Sequence, residues 1–310
     1  MAKVITLGEI LVEIMRLGAG QPLDQAGEFR GPFASGAPAI FAVAAARLGL
    51  DTAFIGTAGD DAFGRMLRST LIAEGVDTQG LQMIPNYATG AAFVAYDETG
   101  GREFVFHIRQ AAAGQIDRDV IPVQIFEDVK WLHLSGSTIF INEHCRAACL
   151  RAVELARQAG GKISLDPNLR LDLMPLEESR QVLAPFLEVA DLLLPTENEA
   201  HLLTGHSDTA VAARELTNNP KTIVVTKRGP QGCSIFHTAQ QLDIPGFSVD
   251  EIDPTGAGDC FSAAFIAGIE AGWILEQVGR FANAAGALAV TKMGPMEGAP
   301  TQSQVEKFYE

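Results

Sequence analysis

The strongest constraint on the fold is a repeated switch between two hydrophobic periods. Short apolar or β-branched runs occur at Val4–Leu7, Thr52–Ile55, Trp131–Leu134, Ile163–Leu165, Leu192–Leu194 and Thr222–Thr226. Each is followed within two residues by Gly, Pro or a charged side chain, which suits buried strands. Longer segments with helical character lie between them, at Ala37–Leu48, Asp60–Glu74, Glu143–Gln158, Pro175–Val189 and Glu197–Leu203. Ser35 is the expected N-cap of the first helix, and Gly49 and Gly75 are the expected stops of the first two. A hairpin-like run through Cys233–Phe236 and Gln241–Pro245 follows. The last third reads as helical over Gly256–Ala271, Leu275–Thr291 and Ser303–Tyr309. Such alternation predicts an α/β fold, a doubly wound and mostly parallel sheet flanked by helices on both faces. Ligands then belong at the carboxyl ends of the strands.

Three stretches break the rhythm. Ile10–Arg16, Ala91–Tyr96 and Arg102–Arg109 read as strands, and no helix separates the last two. Asp97–Gly101 between them has hairpin-turn composition. These strands are expected in a small separate sheet. At about 150 residues per domain the length suggests roughly two domains, but one α/β domain accommodates the whole of 1–310, with the small-sheet strands inserted at about 10–34 and 89–110.

Apolar residues make up 47% of the chain, enough for a large core. The 23 Lys and Arg against 38 Asp and Glu give a net charge of −15, which repels nucleic acid and anionic membrane but leaves room for a locally bound anion. The four cysteines, Cys145, Cys149, Cys233 and Cys260, form no C-x-x-C and no zinc spacing. Cys145 and Cys149, one helical turn apart, fit a buried helix face. The pattern fits a reducing, cytoplasmic setting. The apolar stretch at the N-terminus is too short for a secretory leader, and no run reaches the length of a membrane span.

The sharpest local signal is Asp253-Pro-Thr-Gly-Ala-Gly-Asp259 ahead of a long apolar helix. Small residues at Gly256, Ala257 and Gly258 allow close backbone approach, and the unpaired N–H groups of a helix start favour an anion. A carboxylate there, Asp259, makes sense as a base that helps an alcohol attack a phosphoryl group. The same residues also suit an ordinary glycine-rich helix start, with Asp259 interacting with the dipole. Other strand ends aim at the same edge. Lys227, Arg228, Gly229 and Gly232 offer cations and free backbone for a polyphosphate, or a solvated turn. Asp166-Pro-Asn168-Leu-Arg170 offers a guanidinium for carboxylate or phosphate, or a surface loop. Glu197 and Glu199 suit a hydrated Mg²⁺, or a simple acidic helix start. Neither a G-x-x-x-x-G-K-[ST] loop nor a G-x-G-x-x-G after the first strand occurs.

With these segments in place, the chain resembles the ribokinase-type (PfkB) carbohydrate kinases over nearly its whole length. DPTGAGD is similar to the family's second signature and SGAPAIFAVAAARLG, 35–49, to its first. AGDDAFG at 58–64, DPNLR at 166–170, KRGPQG at 227–232 and ANAAGALAV at 282–290 stand where such segments are expected. The resemblance implies transfer of the γ-phosphoryl of ATP to a sugar hydroxymethyl group, with Asp259 as base and the amides of 256–258 steadying the charge. It also implies Asn168, Arg170, Thr226, Lys227, Gly229, Gly232 and Asn283 on the nucleotide side. Glu199 would act on Mg²⁺ through water, and Asp253 would hold a monovalent cation such as K⁺. The extra strands would form a β-sheet lid that excludes water and pairs two subunits into a homodimer.

Glu13, Gly36, Ala37, Ile40, His107, Arg109 and Arg170 would face the sugar. Departures from the family pattern fall there. Ile40 replaces an Asn, Glu13 an Asp, Thr196 the Asn of N-x-x-E, and Phe106-His107-Ile108-Arg109 the Tyr-bearing stretch of sugar-acid kinases. The altered sugar half beside an intact catalytic half suggests changed substrate choice. The expected acceptor is a ketohexose, tagatose or fructose first, with 2-keto-3-deoxygluconate second because Arg109 and Arg170 suit a carboxylate. A non-catalytic sugar sensor is the reading from another class.

Overall fold

The computed structural model describes residues 3–97 and 101–309; the centre of the expected 97–101 turn lies outside them. In chain order the strands are β1 (Lys3–Leu7), β2 (Leu11–Arg16), β3 (Phe29–Ser35), β4 (Asp51–Gly59), β5 (Asp77–Ile84), β6 (Gly90–Tyr96) and β7 (Arg102–His107). They continue as β8 (Val129–Ser135), β9 (Lys162–Asp166), β10 (Leu192–Leu193), β11 (Ile223–Lys227), β12 (Cys233–His237) and β13 (Gln240–Ile244). The helices are α1 (Ala37–Arg47), α2 (Ala62–Ala73), α3 (Gly136–Ile139), α4 (Glu143–Gln158), α5 (Leu176–Val189), α6 (Glu197–Thr204), α7 (Thr209–Glu215), α8 (Ala257–Glu270), α9 (Leu275–Ala289) and α10 (Gln302–Tyr309).

Among the described residues, nine strands form one sheet in the order β13-β12-β11-β10-β9-β8-β1-β4-β5, and four form a second in the order β3-β2-β6-β7. In the large sheet β11 through β5 pair in parallel, and β12 and β13 close the edge as an antiparallel hairpin. Neighbouring residues of a strand point to opposite faces, so a strand covered on both sides reads as a continuous apolar run. Val4, Trp131, Leu192 and Val225 pack on one side with Phe41, Phe265 and Phe281 of α1, α8 and α9. Their neighbours Ile5, Leu132, Leu193 and Val224 pack on the other with Ala152 of α4 and Phe186 of α5.

The chain passes between the two sheets four times, after β1, β3, β5 and β7, and polar side chains fix it near two of these passages. At one, Ser35 donates to the Glu13 carboxylate at 2.8 Å. Ser35 is therefore not the cap of α1. The helix starts from Gly36, whose φ of 110° is open mainly to glycine and where a Cβ would lie 2.5 Å from the Glu9 carbonyl oxygen. At the other, Asp61 caps α2 through Gly64 N at 2.8 Å and also accepts from Thr89 N and Oγ1, at 2.8 and 2.7 Å.

Strands β3 and β5 and the short helices α3 and α7 are absent from the pattern read above. β3 (FRGPFAS) is an edge strand broken by Gly and Pro with mostly exposed side chains, and β5 (DTQGLQMI) is a mixed edge strand. Neither presents the apolar run that marks a central strand. β7 ends at His107 because the Ile108 carbonyl turns to accept from Ala111 N. All four cysteines are free and buried, Cys145 and Cys149 on the inner face of α4. Among the described residues, no helix is long and apolar enough to cross a membrane.

Candidate active site

Helix α8 begins where the carboxyl ends of the central strands gather. Gly256 precedes it at φ 83°, and a Cβ there would lie 2.4 Å from the Pro295 carbonyl oxygen, so glycine alone fits the turn. The first amides of α8 have no intrahelical acceptor and point out of the helix start. The Lys227 ammonium sits beside them, 3.4 Å from where a Cβ on Gly258 would be. Asp259, in the first turn, is buried at 8% exposure. Burial pushes its pKa well above the ordinary carboxylate value, Asp166 adds to the rise, and Lys227 and Arg170 oppose it.

Lys227 ends β11 and pairs with Asp166 of β9 at 2.5 Å in a nearly dry ion pair. Burial works against its charge, but Asp166 and Glu199 more than compensate and hold its pKa above the ordinary lysine value. A cation that stays charged therefore stands at the helix start.

Two cavities meet at this point. The first, about 240 Å³, opens toward the small sheet and is lined by Glu13, Gly36, Ala37, Ile40, Arg170 and Asp259 among others. The second, about 250 Å³, is walled by Phe247, Phe261 and Val290 and reaches Gly229, Gly232 and Asn283. Lys227, Pro254 and Gly258 line both. One cavity has the polar lining of a polyol site; the other has the apolar flat walls that suit a nucleobase.

Most residues singled out in the sequence converge here. Gly256 and Gly258 line the first cavity and Ala257 the second, with Asn168 and Thr196 also in the first. Asn168 takes a φ of 35° and donates from Nδ2 to Ser135 at 3.0 Å. Asn283 donates to the carbonyls of Ile244 and Pro245, at 3.2 and 3.1 Å, which holds the wall of the second cavity in place. Glu199 forms a capping box with Thr196 and also accepts from Leu169 N at 2.7 Å. With both oxygens engaged, it fits a cation approached through water. Among the described residues, no cluster of three His, Cys, Asp or Glu suits direct metal ligation. That is the usual situation for Mg²⁺ carried on substrate phosphates.

Three expectations need correction, at Thr226, His107 and Arg109. Thr226 is fully buried within the sheet, lines neither cavity and directs its hydroxyl at the Ser234 carbonyl. His107 and Arg109 are exposed, and Arg109 donates to the Leu173 carbonyl at 3.0 Å. Strand alternation turns Phe104, Phe106 and Ile108 inward instead. Asp253 is buried, and its oxygens accept from the Tyr96 hydroxyl at 2.7 Å, Thr255 N at 3.0 Å and Gly294 N at 2.9 Å. These three donors orient the carboxylate at the turn into α8.

Glu9 was not anticipated. It is 4% exposed, lines the first cavity, and accepts from Ser137 at 2.7 Å and from Thr138. Burial raises its pKa against those hydrogen bonds. A Glu directly after the Gly8 that ends the first strand is the signal that marks it. Arg102 at the start of β7 also reaches this cavity.

A model of the pfkB family of carbohydrate kinases matches residues 1–302. Fructokinase-1 of Oryza sativa subsp. japonica is 36% identical over 318 residues, spanning 99% of this chain and 97% of that protein. An E. coli structure provisionally named ribokinase II, with ATP and Mg²⁺ bound, is 41% identical at a TM-score of 0.92, covering 100% of this chain and 99% of that one. A Vibrio cholerae O395 fructokinase, bound to fructose, ADP and calcium ion, is 29% identical at a TM-score of 0.84, with 100% and 99% covered.

Proposed function

The chain belongs to the pfkB family of carbohydrate kinases, and from that premise we propose that it transfers the γ-phosphoryl group of ATP to a hydroxymethyl group of a ketohexose, fructose or tagatose. The observation that carries this reading is the buried Asp259 at the meeting point of a polar and an apolar cavity. The sugar occupies the first cavity and ATP the second, with its phosphates reaching across Lys227 and Gly258. Asp259 accepts the proton of the attacking hydroxyl; burial makes it a stronger base than an exposed Asp. The amides of Gly256, Ala257 and Gly258 and the Lys227 ammonium stabilise the charge on the phosphoryl in flight.

Glu13, Gly36, Ala37, Ile40 and Arg170 hold the sugar; Asn168, Gly229, Gly232 and Asn283 border the nucleotide. When bound to the phosphates, Mg²⁺ supplies charge neutralisation, and Glu199 holds one of its waters. The small sheet acts as a lid, so that the whole chain works as one unit. The lid's exposed Phe29 and Val105, each at 40%, favour a homodimer through this face. The free, buried cysteines favour a cytoplasmic setting.

A coupled ADP-release assay over ketoses, aldoses, sugar acids and nucleosides tests the reading, with the highest kcat/KM expected for a ketohexose. Arg102 and Arg170 at the first cavity, neither in a salt bridge among the described residues, support 2-keto-3-deoxygluconate as the second reading. A sugar acid with the highest kcat/KM would establish it. Saturable sugar binding without turnover on any acceptor would make the chain a sensor.

A further inference from the structure

Asp253 joins three parts of the molecule. Thr255 N belongs to the turn that leads into α8, Gly294 N to the loop after α9, and the Tyr96 hydroxyl to the last residue of lid strand β6, 157 positions away. Tyr96 also lies 3.4 Å from Thr255 Oγ1. The loop after α9 supports the same turn, because the Pro295 carbonyl presses on Gly256. The lid also touches that loop directly, where Arg30 of β3 donates to the Met293 sulfur at 3.5 Å.

Tyr96 pairs with Arg102 at the end of the β6–β7 ladder. The backbone that carries the phenol is therefore part of the small sheet's own ladder. Burial, with the Asp253 carboxylate adding to it, raises the phenol's pKa, so Tyr96 remains a donor throughout the working range. The turn 253–256 is in turn the segment that aims the amides of 256–258.

We infer that Tyr96 is a positioning residue: its hydroxyl latches the lid to Asp253 and so sets the lid and the phosphoryl-holding amides of α8 in register as one assembly. The role rests on the kinase reading, since it concerns the lid over the sugar and the turn that holds the phosphoryl group. With the latch made, sugar enclosure and a formed phosphoryl site go together. With it broken, the lid opens more often, sugar leaves faster, and water reaches the phosphoryl group of bound ATP. The Tyr96 ring packs much as Phe would, so Tyr96→Phe removes the hydrogen bond with little change in shape.

The test compares Tyr96→Phe with the wild type as full chains by two measurements. In steady-state kinetics the variant is expected to raise the sugar KM about tenfold, leave the ATP KM within about twofold, and release more ADP without sugar relative to its sugar-dependent turnover. In hydrogen exchange, amides of β2 and β6 are expected to exchange about tenfold faster, while those of β1 and β8 stay as they were. An unchanged sugar KM, unchanged exchange in β2 and β6, or equal acceleration in β1 and β8 overturns the latch. The last result would mark Tyr96 as a general stability residue. If the wild type shows no sugar-dependent ADP release, the kinase reading fails, and the exchange measurement alone decides whether Tyr96 holds the small sheet.

Discussion

In the proposed reaction Asp259 is the base, and its surroundings suit it to that task. Burial and Asp166 raise its proton affinity while Lys227 and Arg170 keep the charged form within reach. Asp259→Asn keeps the side chain's shape but cannot take a proton. It is expected to lower kcat by about 10²–10⁴ and leave the ATP KM within a few-fold; steady-state rates with both substrates varied check this. Glu13 has a different task. Burial pushes it up to about 7, Ser35 pulls it down, and Asp253 adds to the rise. Its charged form, the better acceptor for sugar hydroxyls, fills as pH rises through about 7. The sugar KM is therefore expected to fall by several-fold between about pH 6 and 8, and Glu13→Gln to flatten that slope. The same shift has the opposite sign for stability: the folded state binds the proton more tightly, so Glu13 costs stability as pH climbs from its ordinary range to about 7.

Elements position these groups, and they differ in how plainly the sequence announces them. The central strands stand out because both faces are buried, as the split of Val4 and Ile5 between two cores illustrates. The start of α8 stands out because Gly256 has no substitute at its φ. Edge strands β3 and β5 do not, since one exposed face erases the apolar run. At the candidate site, Asp259, Lys227 and Glu199 were legible from strand-end chemistry. Side chains on β7 were legible only up to register: a one-residue shift exchanges His107 for Phe106 and Ile108. Tyr96 left no local trace, because its partner Asp253 lies far along the chain. Helix α1 contributes Ile40, which is 2% exposed, lines the first cavity and packs close to Gly256. Ile40→Asn adds a donor and an acceptor to that wall. It is expected to shift the kcat/KM ratio between two ketoses by about tenfold and leave the ATP KM within about twofold; a weakened ATP KM alone would contradict this placement.

At the scale of the whole molecule, the loop after α9 has to stay put for the turn into α8 to hold its shape. Arg47 at the end of α1 anchors it, donating to the carbonyls of Met296 and Ala299 at 2.8 and 2.6 Å and to both Glu74 oxygens at 2.7 Å. Arg47 holds Glu74 below its ordinary pKa, so this contribution is present above the carboxylate range and is lost as pH falls through the lowered value. Arg47→Ala is expected to lower the free energy of unfolding by about 2–3 kcal/mol, measured in urea near neutral pH. The walls common to the two cavities, Lys227, Pro254 and Gly258, have a separate consequence. A single compound that tethers adenosine to a ketose by a polyphosphate bridge would span both compartments at once. Each half would raise the effective concentration of the other, so such a bisubstrate inhibitor should outcompete either parent molecule by orders of magnitude.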